Sequence, residues 1–414
     1  MQNGIKESEI VLSVQAFCKV KDEIWFVPRN FNALFRMNCK DRKLIYVLEF
    51  EMESKVKQNL VKGIVGYGNE LWFLPSEAKR IYVLNLEDMQ MQSLELPAEY
   101  QGNKYKTGAY CAEGKYIWVL PFGTACGYRI DMQDKCVESQ PNLGYPKNRK
   151  AAYMYCAQLG GKIVAVDRLS GQLLCYDSCL DVSKFTEFDL QKNLSREWEI
   201  LAYRERFYLF SAEKVLLFDS KMELLEEKSL PVETKGMDVL DYLTDGDDIW
   251  LSCYPDFILC WNLQSDKITK HELAHRHPVR SAAMLGEIGC GVLFQDEEKV
   301  YCLPGDYGYF IEIDKKTQQK HEFPFFKEFD WVYRYLAADK QNQESRSFFF
   351  MNFIPTLEQF LQFVKRDKMS INKECQMEKA KEFFGGMDGK VGKAIVDDIT
   401  RELPKEFWGI RDSQ

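Results

Sequence analysis

Histidine is scarce in this chain: 414 residues contain only His271, His275, His277 and His321. That thins the field of catalytic and metal centres, because imidazole is the usual general base and a frequent metal ligand. His275 and His277 form an H-x-H pair in AHRHPVR, but two ligands need a third. No G-x-S-x-G elbow, P-loop or H-E-x-x-H occurs, so no cofactor or metal is expected. Long apolar runs are missing as well. No window reaches the roughly 18 uninterrupted apolar residues of a membrane helix. The opening MQNGIKESEIVLSVQAFCK has no basic segment ahead of an apolar core, so no secretory signal is read. Basic charge is in deficit, 55 Lys and Arg against 63 Asp and Glu for a net −8. A phosphate backbone is therefore not the expected partner.

Glycine and proline are modest, 25 and 13, while aromatics make up 14%. So much aromatic surface does not stay solvated, which excludes a disordered or collagen-like chain. Cysteine is plentiful at 13, yet no Cys-x-x-Cys is present, and Cys175 with Cys179 has no second pair or nearby His. Cys111, Cys156, Cys260 and Cys302 lie inside apolar strand-like runs. They read as buried free thiols of a reducing cytoplasm.

What the chain has is a repeat. EIWFVP (23–28), ELWFLP (70–75), YIWVLP (116–121) and VYCLP (300–304) are near copies, with weaker ones in KIVAVD, RFYLFS, DIWLSC and SFFFMN. Aligned on the second core residue these give Trp25, Trp72, Trp118, Val164, Tyr208, Trp250, Tyr301 and Phe349, spaced 42 to 51 residues apart. A second register follows 11 to 13 residues later: Asn38, Asn85, Asp131, Asp177, Asp219, Asn262 and Asp314 each close a short apolar run. Asn and Asp bond their own backbone two residues on and tolerate left-handed geometry, so they end a strand and start a turn. The recurring Trp residues read as packing between neighbouring sheets rather than as a ligand-stacking ring.

Four short strands per unit resemble the blades of the β-propeller superfamily over roughly residues 8 to 330. The likeness is to divergent bacterial propellers, kelch- or WD40-like in architecture but without the Gly-Gly doublet of kelch or the Gly-His and Trp-Asp of WD40. The expected fold is all-β, a propeller of about seven four-stranded blades, with an incomplete eighth allowed. That eighth unit begins with VYRYLAAD (332–339) and RSFFFMN (346–352), where blade patterning stops. Residues 1–352 are read as the propeller and 353–414 as a C-terminal helical extension, from the helical spacing of Ile354, Leu357, Phe360, Leu361 and Val364.

In propellers, loops joining the second and third strands and links between blades share one face, where ligands bind on a rigid scaffold. The resemblance places there Arg29, Asn30, Asn32, Arg80, Phe122, Asp167, Arg168, Tyr254, Asp256, Asp306 and Tyr307. Mixed charge and aromatics suit a protein or a polar ligand, a glycan included. The expectation is a non-catalytic binding or scaffold protein. The alternative is a carbohydrate-active hydrolase or lyase using channel carboxylates.

Overall fold

Each repeat folds into one antiparallel sheet because its four apolar runs are joined by turns too short for anything but hairpins. The computed structural model describes residues 9–124, 126–140, 151–167, 172–177, 186–189, 199–254, 257–273, 290–305, 308–328, 331–332 and 335. All belong to one unit, residues 1–341. Seven sheets follow in chain order, and in six of them the first strand pairs only with the second; that of blade 4 takes a short extra strand on its free edge. The innermost strands are Val14–Val20, Val61–Tyr67, Tyr110–Glu113, Ala151–Leu159, Glu199–Tyr203, Asp238–Asp245 and Cys290–Gln295. The molecule is a seven-bladed β-propeller.

The core lies between blades. Clusters of buried side chains draw on neighbouring pairs: Trp25 and Val27 of blade 1 pack with Leu71 and Phe73 of blade 2. Trp72 of blade 2 packs with Ile117 and Tyr128 of blade 3, and Trp250 of blade 6 with Val300 and Ile311 of blade 7. Trp25, Trp72, Trp118 and Trp250 are at most 5% exposed, which makes them inter-blade core as their spacing implied.

The Asn/Asp register works as turn chemistry. Asn38 Oδ1 accepts from the Lys40 amide, Asn85 from Glu87, Asp131 from Gln133, Asp219 from Lys221, Asn262 from Gln264 and Asp314 from Lys316. The left-handed residue is not the Asn or Asp itself. It stands three or four positions on, at Arg42, Met89, Lys135, Met222, Asp266 and Gln318, all with φ between 50° and 69°.

Closure needs no exchanged strand. Glu9–Val11 pairs antiparallel with Phe326–Glu328 beside the joint of blades 7 and 1. Across that joint Lys19 Nζ sits 2.6 Å from Asp296, and Arg42 donates to both oxygens of Glu312 at 3.1 Å. Phe17 meets Phe294 at 4.9 Å, and Phe325 packs on Phe26 at 5.0 Å. The expected start of an eighth blade at 332–339 is corrected at its described positions: Trp331, Val332 and Tyr335 are helical. Trp331 and Tyr335, one helical turn apart, stack at 5.3 Å and both pack on Tyr46 of blade 1, a contact that helical spacing provides and strand alternation does not. The 353–414 extension and its boundary lie outside the described residues.

Candidate functional site: the loop face and the channel

The sequence-derived rim residues fare differently. Arg29 and Asn30 are half-buried after the second strand of blade 1. Arg29 Nε donates to Asn59 Oδ1 at 3.0 Å, and Asn30 Oδ1 accepts the Ser13 amide at 3.1 Å. Asn32 is fully buried, its amide donating to the Phe50 and Glu53 carbonyls while its oxygen accepts the Phe50 amide. It clamps its loop to the link between blades 1 and 2. Asp167 is likewise buried and accepts the Ala152 amide at 3.0 Å. Arg80 turns outward, to Ser93 and Glu95 at the outermost strand of blade 2. Phe122 lies in a short strand, Phe122–Thr124, that leaves blade 3 and pairs with the innermost strand of blade 4. Its ring meets Tyr105 edge-on at 5.5 Å. Arg168, Asp256, Asp306 and Tyr307, and the side chain of Tyr254, lie outside the described residues.

The links between blades add what the sequence reading missed. Met52 and Tyr105 are 53% and 38% exposed on the first and second links. Lys57 and Lys104 both approach Glu77, at 3.3 and 3.7 Å. Lys106 is buried beside them. The signal was in plain view: Lys104-Tyr105-Lys106 flanks an exposed aromatic with two cations just before an innermost strand.

The channel wall carries a second group of side chains. In blades 1, 2, 4, 6 and 7 the innermost strand holds an extra residue near the loop face. Such bulges re-aim side chains. At the rung where blades 1 and 2 place Ala16 and Gly63, blades 5 and 6 place Glu199 and Asp241. Those two carboxyls hydrogen-bond to each other, and Asp241 Oδ2 also accepts the Leu293 amide of blade 7 at 2.5 Å. Burial pushes Asp241 up to about 6, despite the donors from Leu293, Glu199 and Tyr242 that favour its charge. Burial first, then the charge of Asp241, raises Glu199 well above the carboxylate range, and Lys62 of blade 2 offsets this only in part. The pair thus shares a proton, as close carboxyls do. Cys156 of blade 4 and Cys111 of blade 3 are free thiols in hydrogen-bond contact, and this contact together with burial makes the Cys156 thiol less acidic. Among the described residues, no group of three or more His, Cys, Asp or Glu is placed to hold a metal.

No protein-family model and no curated protein matches this chain. Solved structures do. The chain is similar to virginiamycin B lyase from Staphylococcus aureus, with a TM-score of 0.55 at 13% identity over 72% of this chain and 96% of that one. YCF48 bound to D1 peptide gives 0.55 at 12% identity, over 75% and 96%. A streptogramin B lyase gives 0.55 at 12%, over 72% and 92%. The likeness is one of fold. At these identities it carries no residue role across, and the functional argument rests on the two places just described.

Proposed function

We propose that this chain is a non-catalytic binding propeller of the reducing cytoplasm. Its loop face, over blades 1 to 3, takes a protein or another polar ligand. The observation that carries this reading is the gathering there of exposed Met52 and Tyr105, the Tyr105–Phe122 ring pair and a cluster of cations. Aromatics with cations are what partner surfaces are enriched in. The scaffold beneath is rigid, since Asn32 fastens one of these loops from below. A propeller of the same fold, YCF48, has been solved with a D1 peptide, so the fold is compatible with such a role. The test is affinity capture with paired variants. Met52→Ser combined with Tyr105→Ser is expected to abolish capture. Met89→Ser, on the opposite turn of blade 2, is expected to retain it. Equal capture by both overturns the assignment of the face.

A second reading, carbohydrate hydrolysis or elimination, is favoured by one observation: Glu199 and Asp241 meet beside the channel with shifted acidities. Their spacing weighs against it. Glycosidase carboxyls stand roughly 5–10 Å apart with a sugar between them, whereas these two bond directly. Glycan turnover that disappears in Glu199→Gln would promote this reading over the first.

A further inference from the structure

The joints of the ring share one diagonal meeting of side chains. On each innermost strand one residue stands opposite the repeat's Trp position, and the neighbouring blade brings to it the residue of the adjacent rung. Between blades 2 and 3 these are Val65 and Tyr110, in one buried cluster. Between blades 7 and 1 they are Phe294 and Phe17, their rings 4.9 Å apart. Between blades 1 and 2 they are Cys18 and Ile64. Apolar pairs, or a single thiol with an apolar neighbour, fill six of the seven joints.

Between blades 3 and 4 both places are cysteine. Cys111 stands opposite Trp118 and Cys156 opposite Ala165, and both pack on one cluster. They are free and partly exposed, and their thiols are in hydrogen-bond contact. Packing alone does not ask for the pair, since larger apolar side chains fill the same places elsewhere in the ring. The backbone is prepared as well. Phe122–Thr124 leaves blade 3 and pairs with the innermost strand that carries Cys156. That ladder fixes how the two blades meet, leaving side-chain rotation to bring the sulfurs to a bonded separation of about 2 Å.

We propose that Cys111 and Cys156 are a redox modification site, which a hydroperoxide converts reversibly into a disulfide tying blade 3 to blade 4. With hydrogen peroxide, a thiolate of the pair attacks one oxygen and the O–O bond breaks. The sulfur becomes a sulfenic acid, and the leaving hydroxide takes the thiol proton as water. The second sulfur then displaces the sulfenic hydroxyl. The S–O bond breaks, the S–S bond forms, and the second thiol proton leaves in another water. Two electrons have passed from the sulfurs to the peroxide. The shared hydrogen and burial make the Cys156 thiol less acidic, so what selects this pair is the neighbouring sulfur, which makes the second step intramolecular. A small thiol reverses the bond by exchange. The two cysteines lie 45 positions apart, and closing that length of chain stabilises the ring by restricting the unfolded state. None of this depends on which ligand the loop face takes.

The test uses the full chain, reduced and then treated with hydrogen peroxide under native conditions. Remaining thiols are alkylated and the peptides mapped without reduction. A peptide joining Cys111 to Cys156 is expected, and dithiothreitol is expected to release it. The thermal midpoint should rise with the cross-link and fall back on reduction. Cys111→Ser and Cys156→Ser are each expected to lose both the peptide and the rise. Cys136→Ser, at an exposed thiol on the outermost strand of blade 3, is expected to keep both. Cys111→Val combined with Cys156→Ile installs the residues that blade 2 carries at these rungs, Val65 and Ile64. It is expected to match the midpoint of the reduced chain and to gain nothing from peroxide. Oxidation of Cys136 without any peptide joining Cys111 to Cys156 overturns the site. So does a linked peptide that forms only after the chain is unfolded in urea, or one whose formation leaves the midpoint where it was.

Discussion

Gly63 stands where a side chain would collide with Tyr110: a Cβ there would lie 2.1 Å from Tyr110 Cζ and 2.3 Å from its hydroxyl. The glycine of blade 2 thus makes room for the tyrosine of blade 3, whose hydroxyl is made less acidic by burial. Gly63→Ala is expected to cost about 1–3 kcal/mol through overpacking. Pairing it with Tyr110→Ala should recover part of that cost in a double-mutant cycle by urea unfolding. Strict additivity would mean that the two residues do not press on each other.

The carboxyl pair predicts a pH profile. Asp241 titrates at about 6 in the folded chain and Glu199 is also raised, against about 4 when unfolded. The folded state therefore holds protons that the unfolded state releases. Its stabilising contribution is complete below about pH 4 and is lost as pH rises through 6. Glu199→Gln should flatten this limb and leave the chain at least as stable at neutral pH. An unaltered slope of stability between pH 4 and pH 7 (roughly the window set by these values) would remove the shared proton from the account.

The joint of blades 7 and 1 is expected to respond differently. Glu312, 3% exposed, is held by Arg42 and Lys299, so Arg42→Met, which leaves Lys299 in place, should cost about 1.5–3 kcal/mol. The exposed Lys40–Asp22 pair should yield less than about 1 kcal/mol when Lys40 is replaced. On the acid side Asp296 matters. Burial alone would raise it, but Lys19, Tyr301 and two backbone amides hold it down at about 2. Its contribution is present above about pH 4 and is lost as pH falls through 2. Chemical denaturation of Arg42→Met and Lys40→Met, with equal losses in both, would refute a special role for this joint.

Tryptophan emission offers a simpler check. Trp25, Trp72, Trp118, Trp250 and Trp261 are all at most 5% exposed. Acrylamide should leave a large shielded fraction, and Trp72→Ala should cost about 3–5 kcal/mol. Uniformly strong quenching would contradict the inter-blade core.

The repeating parts of this molecule were readable from its residues, and the singular parts were not. Trp72 and Asn85 each recur in other blades at a fixed spacing, so periodicity exposes both the core strand and the turn. Glu199 and Asp241 lie 42 residues apart, near one unit length. Nothing in either neighbourhood marks them, since only the angle between blades 5 and 6 brings them into contact. Asn32 looked like a loop donor because polarity in a loop reads as exposure, whereas its amide is consumed by backbone groups. Lys106 escaped notice because the candidate residues were drawn from the loops that follow each second strand. Tyr335 resembled a strand residue by its aromatic neighbours until its stacking on Trp331 revealed helical spacing.

Every blade draws its four main strands from one continuous stretch of chain, and the two segments meeting at the last joint are joined by a three-residue ladder. Sequence order and ring order are therefore the same thing, and the ring has no privileged first blade. A chain nicked in the 95–109 link would fall into a two-blade and a five-blade piece, each carrying whole sheets and able to re-dock. A gene rewritten to start at blade 3, with Glu328 joined to Glu9 through a short linker, would encode the same seven sheets in the same neighbourhood.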